Sequence, residues 1–389
     1  MLGPSVDLHV VTNEPAPVGL DGVTFHHLDE ISAGQLDLSA FDGILVELGN
    51  HPYFHGYMID IIRQFACTVE LHDLLLHHCL MGDFGTPAGE REYFEWLTRG
   101  YGIDVADQFR HFFSQNRDIL QCPFAAKYPC SDFITAVAER VIVHSRYAKA
   151  ALAASGKVRK LDAINLCLRR GGELPGAPLE SNNIRIGVFG GVQRNRQVDV
   201  VLEVLAKIYV DYQDWSLDVI GSIDDDCAAL FTAPQSLGIQ DNVTFHGRLQ
   251  LDDLHEAMRQ CEIVVSLRSP TMGETSAIVV RAMQLGIASI VSDVGWYSEL
   301  PPCVLKVDNS RIHQDLERAL RALLSDRSLR KRLAERTAAY AAQRFDLRVA
   351  ADDILFLTLY GAVDDIEARV GKSVKSNDEV ASATIISRS

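Results

Sequence analysis

Short apolar runs alternate along this chain with segments whose apolar positions recur every three or four residues. The second half shows this most plainly. The run IRIGVFG (184–190) leads into a helical pattern over about 197–212, with Val198, Val201, Leu202, Leu205 and Ile208 on one face. Further strand-like runs follow at 216–221 (SLDVIG), 242–247 (NVTFHG), 262–267 (EIVVSL), 288–295 (ASIVSDVG) and 303–307 (CVLKV), with helical stretches between them. Strands alternating with helices predict a parallel, doubly wound α/β domain, complete from about 183 to 325.

The first half has the same grammar with less regularity. VDLHVV (6–11), FDGILVEL (41–48), ACTVELH (66–72) and ERVIVHS (139–145) read as strands. After the last of these, Ser145 is placed to cap a helix and Gly156 to take the left-handed position that ends it. An aromatic-rich stretch, 84–113, reads as an inserted helical segment. Its rings suit core packing better than stacking on sugar or lipid. The expected organisation is a first α/β domain over 1–170, a Gly- and Pro-rich linker over 171–183, and a second domain over 184–345. A helix over 346–370 returns to the first domain, and a polar, patternless, disordered tail spans 371–389.

Composition narrows the function classes. Of 389 residues, 47% are hydrophobic, ample for two cores. The net charge of −15 disfavours a nucleic-acid partner and strong adhesion to anionic lipid, leaving at most peripheral membrane contact. No apolar run reaches the roughly 18 residues of a spanning helix, and the N-terminus has no signal-peptide order, so a cytoplasmic setting is expected. The eight cysteines form no C-x-x-C pair and read as buried thiols.

Three segments could carry chemistry. In SPTMGETSAIVVRAMQLG (269–286) a strand gives way to a loop, and Glu274, Thr275 and Ser276 open a helix. Free amides at a helix start attract phosphate, although the same residues also serve as plain caps. In VFGGVQRNRQVDVV (188–201) a strand runs into Gly190 and Gly191, then Arg194 and Arg196. Glycine lets backbone approach a phosphate and arginine grips one, though a solvated basic turn fits equally. The run matches neither the dinucleotide fingerprint nor the Walker A motif. In VELHDLLLHH (69–78), His72 and Asp73 stand at a strand's carboxyl end. His72, His77 and His78 lack ligand spacing, so no metal is expected there.

Taken together, FGGVQRNRQVD, VIGS, VTFHGRL, VSLRSPTMGETS, VRAMQLG and IVSDVGWYSEL resemble the nucleotide-sugar-binding half of retaining glycosyltransferases of family 4, which have the GT-B fold. VELGNHPYFHGYM and VELHDLLLHH resemble their acceptor-side segments. The resemblance implies two Rossmann-like domains facing across a cleft, and transfer of a sugar from a nucleoside-diphosphate sugar to a saccharide or lipid-linked acceptor with retention. Cell-surface polysaccharide synthesis is the usual setting, with no cofactor and no metal. It implies that Glu274 and His72 face the transferred sugar. Gly190, Gly191, Arg194, Arg196, Gly221, Arg268, Thr275, Ser276 and Arg281 would surround the donor, and Asn50 and Asp73 would lie on the acceptor side.

Three departures stand out. Glu274 sits one residue off the usual spacing. The family's second glutamate falls on Arg281. The first domain starts one strand-helix unit late, without the usual opening strand and glycine-rich loop. A non-catalytic GT-B subunit and a nucleotide-sugar epimerase are the alternatives.

Overall fold

The computed structural model describes residues 6–15, 22–116, 118–169, 183–360 and 381–386. For 360 and 381–386 only the backbone is described. The expected linker falls outside these residues apart from 183. Two compact units result: Met1–Asn165 with Met272–Glu274 and Arg348–Ser389, and Leu166–Thr271 with Thr275–Leu347. Among the described residues, no helix is long and apolar enough to cross a membrane.

The strands are β1 (Val6–Thr12), β2 (Val23–His27), β3 (Gly43–Leu48), β4 (Thr68–Leu71), β5 (Arg140–Val143) and β6 (Leu161–Ala163). They continue with β7 (Ile184–Phe189), β8 (Trp215–Ile220), β9 (Val243–Gly247), β10 (Ile263–Ser266), β11 (Ala288–Ser292), β12 (Leu305–Val307) and β13 (Ala381–Ile386). The first unit's sheet has the order β2-β1-β13-β3-β4-β5-β6, and the second's β12-β11-β10-β7-β8-β9. Every strand pair is parallel.

The second unit follows the expected strands closely. The central strand β10 is buried throughout and β7 everywhere but at Arg185, and Ile186, Val264 and Val265 are fully buried. The helix Val198–Tyr209 buries Val198, Val201, Leu202, Leu205 and Ile208, the face that the spacing marks.

The first unit brings one correction. The tail is not patternless throughout: Ala381–Ile386 forms β13, parallel to β1 on one side and β3 on the other, with Ile385 opposite both Val10 and Leu45. It takes the place that the first strand holds in a 3-2-1-4-5-6 sheet. Its six small and β-branched residues suit a central strand, but polar flanks hide them in the sequence. The helix Leu347–Tyr360 packs from Arg348 onward with this unit, where Thr358 and Leu359 crowd Gly43.

The aromatic stretch is helical, as Pro87–Tyr101 and Ile103–Gln115, and it packs into the core. Thr86 caps the first helix by accepting from the Gly89 amide at 3.1 Å. Tyr93, Leu97 and Phe109 are fully buried. Ser145 accepts from the Ala148 amide at 2.9 Å, and Gly156 takes φ +68°, as expected. The cysteines are free, and all but Cys167 are buried.

The loops that leave β7 and β8 are sewn together. The Gly190 amide donates to Ile220 O at 2.8 Å and the Val192 amide to Ser222 O at 2.7 Å. Gly221 has φ +151°, and a Cβ on it would fall 2.1 Å from Gly190 O. Gly221→Ala should therefore destabilise this unit by roughly 1–3 kcal/mol, read as a lowered denaturation midpoint with unchanged m. An unchanged midpoint would show that the two loops can part freely.

His77 is fully buried in the first unit. Its Nδ1 accepts from the Tyr93 hydroxyl at 2.8 Å, and Nε2 donates to Ala125 O at 3.2 Å. Burial, above all, pulls its pKa down to about 4. The unfolded chain, with an ordinary histidine near 6.5, binds a proton first on acidification. His77's contribution is thus complete above about pH 6.5 and is lost as pH falls toward 4, by roughly 3 kcal/mol. His77→Gln should flatten the stability slope between about pH 6.5 and 5. An equal slope in the variant would place the titration elsewhere.

Candidate donor site and a histidine cluster

In an open parallel sheet, ligands bind beyond the carboxyl ends of the strands where the strand order reverses. In the second unit that point lies between β10 and β7. A narrow crevice opens there, lined by Gly190, Arg196, Ser266 and Arg268 among others. Gly190 has φ +97°, and a Cβ on it would meet the Arg196 guanidinium at 3.3 Å. The left-handed glycine thus lets this arginine lie along the end of β7.

Arg196 closes a short 3₁₀ turn, Arg194–Arg196, and Gln197 at φ +50° starts the following helix. Buried Asn195 ties the turn to the loop after β10, since its carbonyl accepts from the Ser269 amide at 2.9 Å. Arg268 is 3% exposed, with its guanidinium over the Tyr297 ring and Nη1 donating to Leu267 O at 2.6 Å. Three buried oxygens nearby have no hydrogen-bond partner among the described residues: Ser266 Oγ, Asn195 Oδ1 and Gln197 Oε1. Unsatisfied polar groups of this kind mark a place where a ligand or water binds.

Arg194 is directed elsewhere. Its Nε donates to Asp226 Oδ2 at 2.7 Å on the exposed surface. The acidic triplet Asp224–Asp226 therefore serves in part as this arginine's counter-charge. Gly191 is open around its Cα, with Ser222 Oγ 3.8 Å from where a Cβ would stand.

The helix start differs from expectation. It begins at Ala277, not at Glu274, because Ser276 is the cap: its Oγ accepts from the Val279 amide at 3.2 Å. Thr275 precedes the cap, so the free amides of the first turn belong to Ala277 and Ile278. Met272–Glu274 forms a turn that groups with the first unit. Met272 O accepts from the Leu74 and Leu75 amides at 2.9 and 3.1 Å, and Glu274 Oε2 accepts from the Met272 amide at 2.7 Å. At Gly273, φ is +79° and a Cβ would lie 2.6 Å from Leu74. Only glycine fits there, which accounts for the acid standing one residue later.

Arg281 is tied to the neighbouring helix, where its Nε donates to His255 Nε2 at 3.0 Å. Burial and then the arginine's charge hold His255 below its ordinary pKa, so it stays a neutral acceptor. No sequence pattern pairs these two residues, since they lie 26 positions apart on different helices.

In the first unit, Asn50 and Asp73 hold two loops together. Asp73 Oδ2 accepts from the Asn50 amide at 2.9 Å, while Asn50 Oδ1 accepts from the Cys79 amide at 3.1 Å. His72, just past β4, stacks on His144, just past β5, with ring centroids 5.1 Å apart. His144 Nε2 lies 3.1 Å from Glu70 Oε1, and its Nδ1 donates to Ile164 O at 3.0 Å. Burial lowers the His144 pKa, but the Glu70 carboxylate outweighs it and holds the ring above its usual value. His72 is pulled down to about 4, first by desolvation and then by His144. Sequence reading singled out His72 and missed Glu70 and His144.

Comparison with known proteins follows the same division. Residues 176–340 match the family model described as glycosyl transferases group 1. No curated protein matches the chain in sequence. Among solved structures, HepE from Anabaena in complex with UDP and glucose is similar at a TM-score of 0.55 and 17% identity, over 80% of this chain and 98% of that one. WaaG, a glycosyltransferase of lipopolysaccharide biosynthesis, gives 0.55 and 14%, over 82% and 100%. Sucrose-phosphate synthase from Thermosynechococcus elongatus gives 0.54 and 16%, over 84% and 99%. The chain therefore has the GT-B glycosyltransferase fold, and its second unit matches the group 1 glycosyl transferases.

Proposed function

We propose that this protein transfers a sugar from a nucleoside-diphosphate donor to a saccharide or lipid-linked acceptor, with retention of configuration, in cell-surface polysaccharide synthesis. One observation carries the reading: Arg196 and buried Arg268 converge with Gly190 on a crevice at the strand-order reversal. The binding of UDP-glucose by HepE and the role of WaaG in lipopolysaccharide biosynthesis support the donor class and the setting.

The chemistry follows from charge. As the glycosidic bond breaks, negative charge grows on the departing diphosphate. Arg196, Arg268 and the first-turn amides after Ser276 offset it, so the diphosphate needs no divalent ion. The acceptor hydroxyl attacks the face from which the diphosphate leaves, and a phosphate oxygen takes its proton. Glu274 and His72 position the sugar. Arg281 offers only donors, so a ribose hydroxyl bound there would act as acceptor.

Calorimetric titration with a panel of nucleoside-diphosphate sugars tests this, with hydrolysis or transfer as the second readout. Arg196→Ala should weaken binding of the preferred donor by about 1.5–3 kcal/mol, the worth of a charge-assisted contact. Arg194→Ala should cost less than about 1 kcal/mol of donor binding, because this side chain is directed to Asp226 on the exposed surface. Equal losses in both variants would overturn the assignment of the phosphate to Arg196. No binding of any donor would favour a non-catalytic subunit.

A further inference from the structure

We propose that Glu70, His72 and His144 form a binding site for a divalent transition-metal ion of the zinc class, at the carboxyl edge of the first unit's sheet.

Neighbouring parallel strands assemble the site. Glu70 pairs in register with Ile142 and Leu71 with Val143, so the next residues, His72 and His144, come side by side. Glu70 and His72 are two apart and project to the same face. One ligand atom from each of the three residues lies within 4.8 Å of the others, close enough for small side-chain adjustments to bring them onto one ion. Two imidazoles and one carboxylate are the donor set of many open zinc sites, which leave a fourth position for water or a substrate oxygen.

Two observations favour a ligand over a simple ion pair. His144 Nε2 is buried and faces Glu70 Oε1 at 3.1 Å, at ion-pair distance but without a hydrogen bond of full geometry to it. Its other nitrogen is committed to Ile164 O, the backbone contact that typically orients a metal-binding histidine. Glu47 Oε2, 4.0 Å from His72 Nε2, is placed as an outer carboxylate. The His72 side chain is 31% exposed, which gives an ion a way in, while Glu70 and His144 are sealed from solvent.

The test uses the full chain, stripped with chelator and desalted, and cobalt(II) alone as probe. One equivalent should bind with the visible absorption of a four-coordinate ion, and zinc should displace it. Glu70→Gln and His144→Gln should each weaken cobalt binding by at least about tenfold, the loss that even outer-shell changes cause. Melting curves show whether the variants fold. If one does not, His72→Gln, at the exposed side, takes its place. A wild-type chain that binds no cobalt, or folded variants that bind it as well as wild type, would overturn the proposal. Because the readout is metal binding, the outcome is separate from that of donor binding.

Discussion

Pairing of β7 with β8 on one side and β10 on the other is the constraint on which the second unit's chemistry rests. Successive crossovers leave β7 in opposite directions, so the loops after β7 and β10 part and a crevice remains. The backbone then narrows it. Gly190 O occupies the space a Gly221 side chain would need, and the absent Gly190 side chain leaves room for Arg196. The Ser269 amide, bonded to Asn195 O, holds the turn against the loop after β10. Arg196 and Arg268 are thus positioned by hydrogen-bonded backbone rather than by long flexible reach.

The local electrostatics oppose the global ones. The chain carries −15, yet its crevice gathers two guanidinium groups. Where the resembled family has acids, this chain has none at the same places. Gly273 cannot carry a side chain beside Leu74, and Arg281 is bonded to neutral His255. The guanidinium groups of this crevice offer hydrogen-bond donors only. Among the described residues, the buried oxygens of Ser266, Asn195 and Gln197 are acceptors without a partner in this region.

How much of this could be read beforehand depended on burial. β7 and β10 are buried along nearly their whole length, so their apolar runs stand out, and the run 184–307 was legible strand by strand. The edge strands β2 and β6 escaped notice because their residues are half exposed and the pattern is diluted. β13 is central but six residues long between polar flanks, and its partners lie more than 330 positions away. At the crevice, composition offered Arg194 and Arg196 as equals. Asp226, brought alongside by the loop after β8, draws Arg194 to the exposed surface and so separates the two.

The two units show different ways of holding charge at a sheet's carboxyl edge. The second uses guanidinium groups, which stay protonated whatever their surroundings and so keep a fixed sign. The first uses imidazoles and a carboxylate, whose state depends on neighbours: burial and His144 hold His72 below its usual pKa, while Glu70 holds His144 above it. Fixed charge needs only one segment to position it, and Gly190 through Arg196 is such a segment. Conditional charge needs partners from separate strands. Those partners are 72 residues apart along the chain, which is why the segment from Gly190 to Arg196 was visible as a motif and the histidine pair was not.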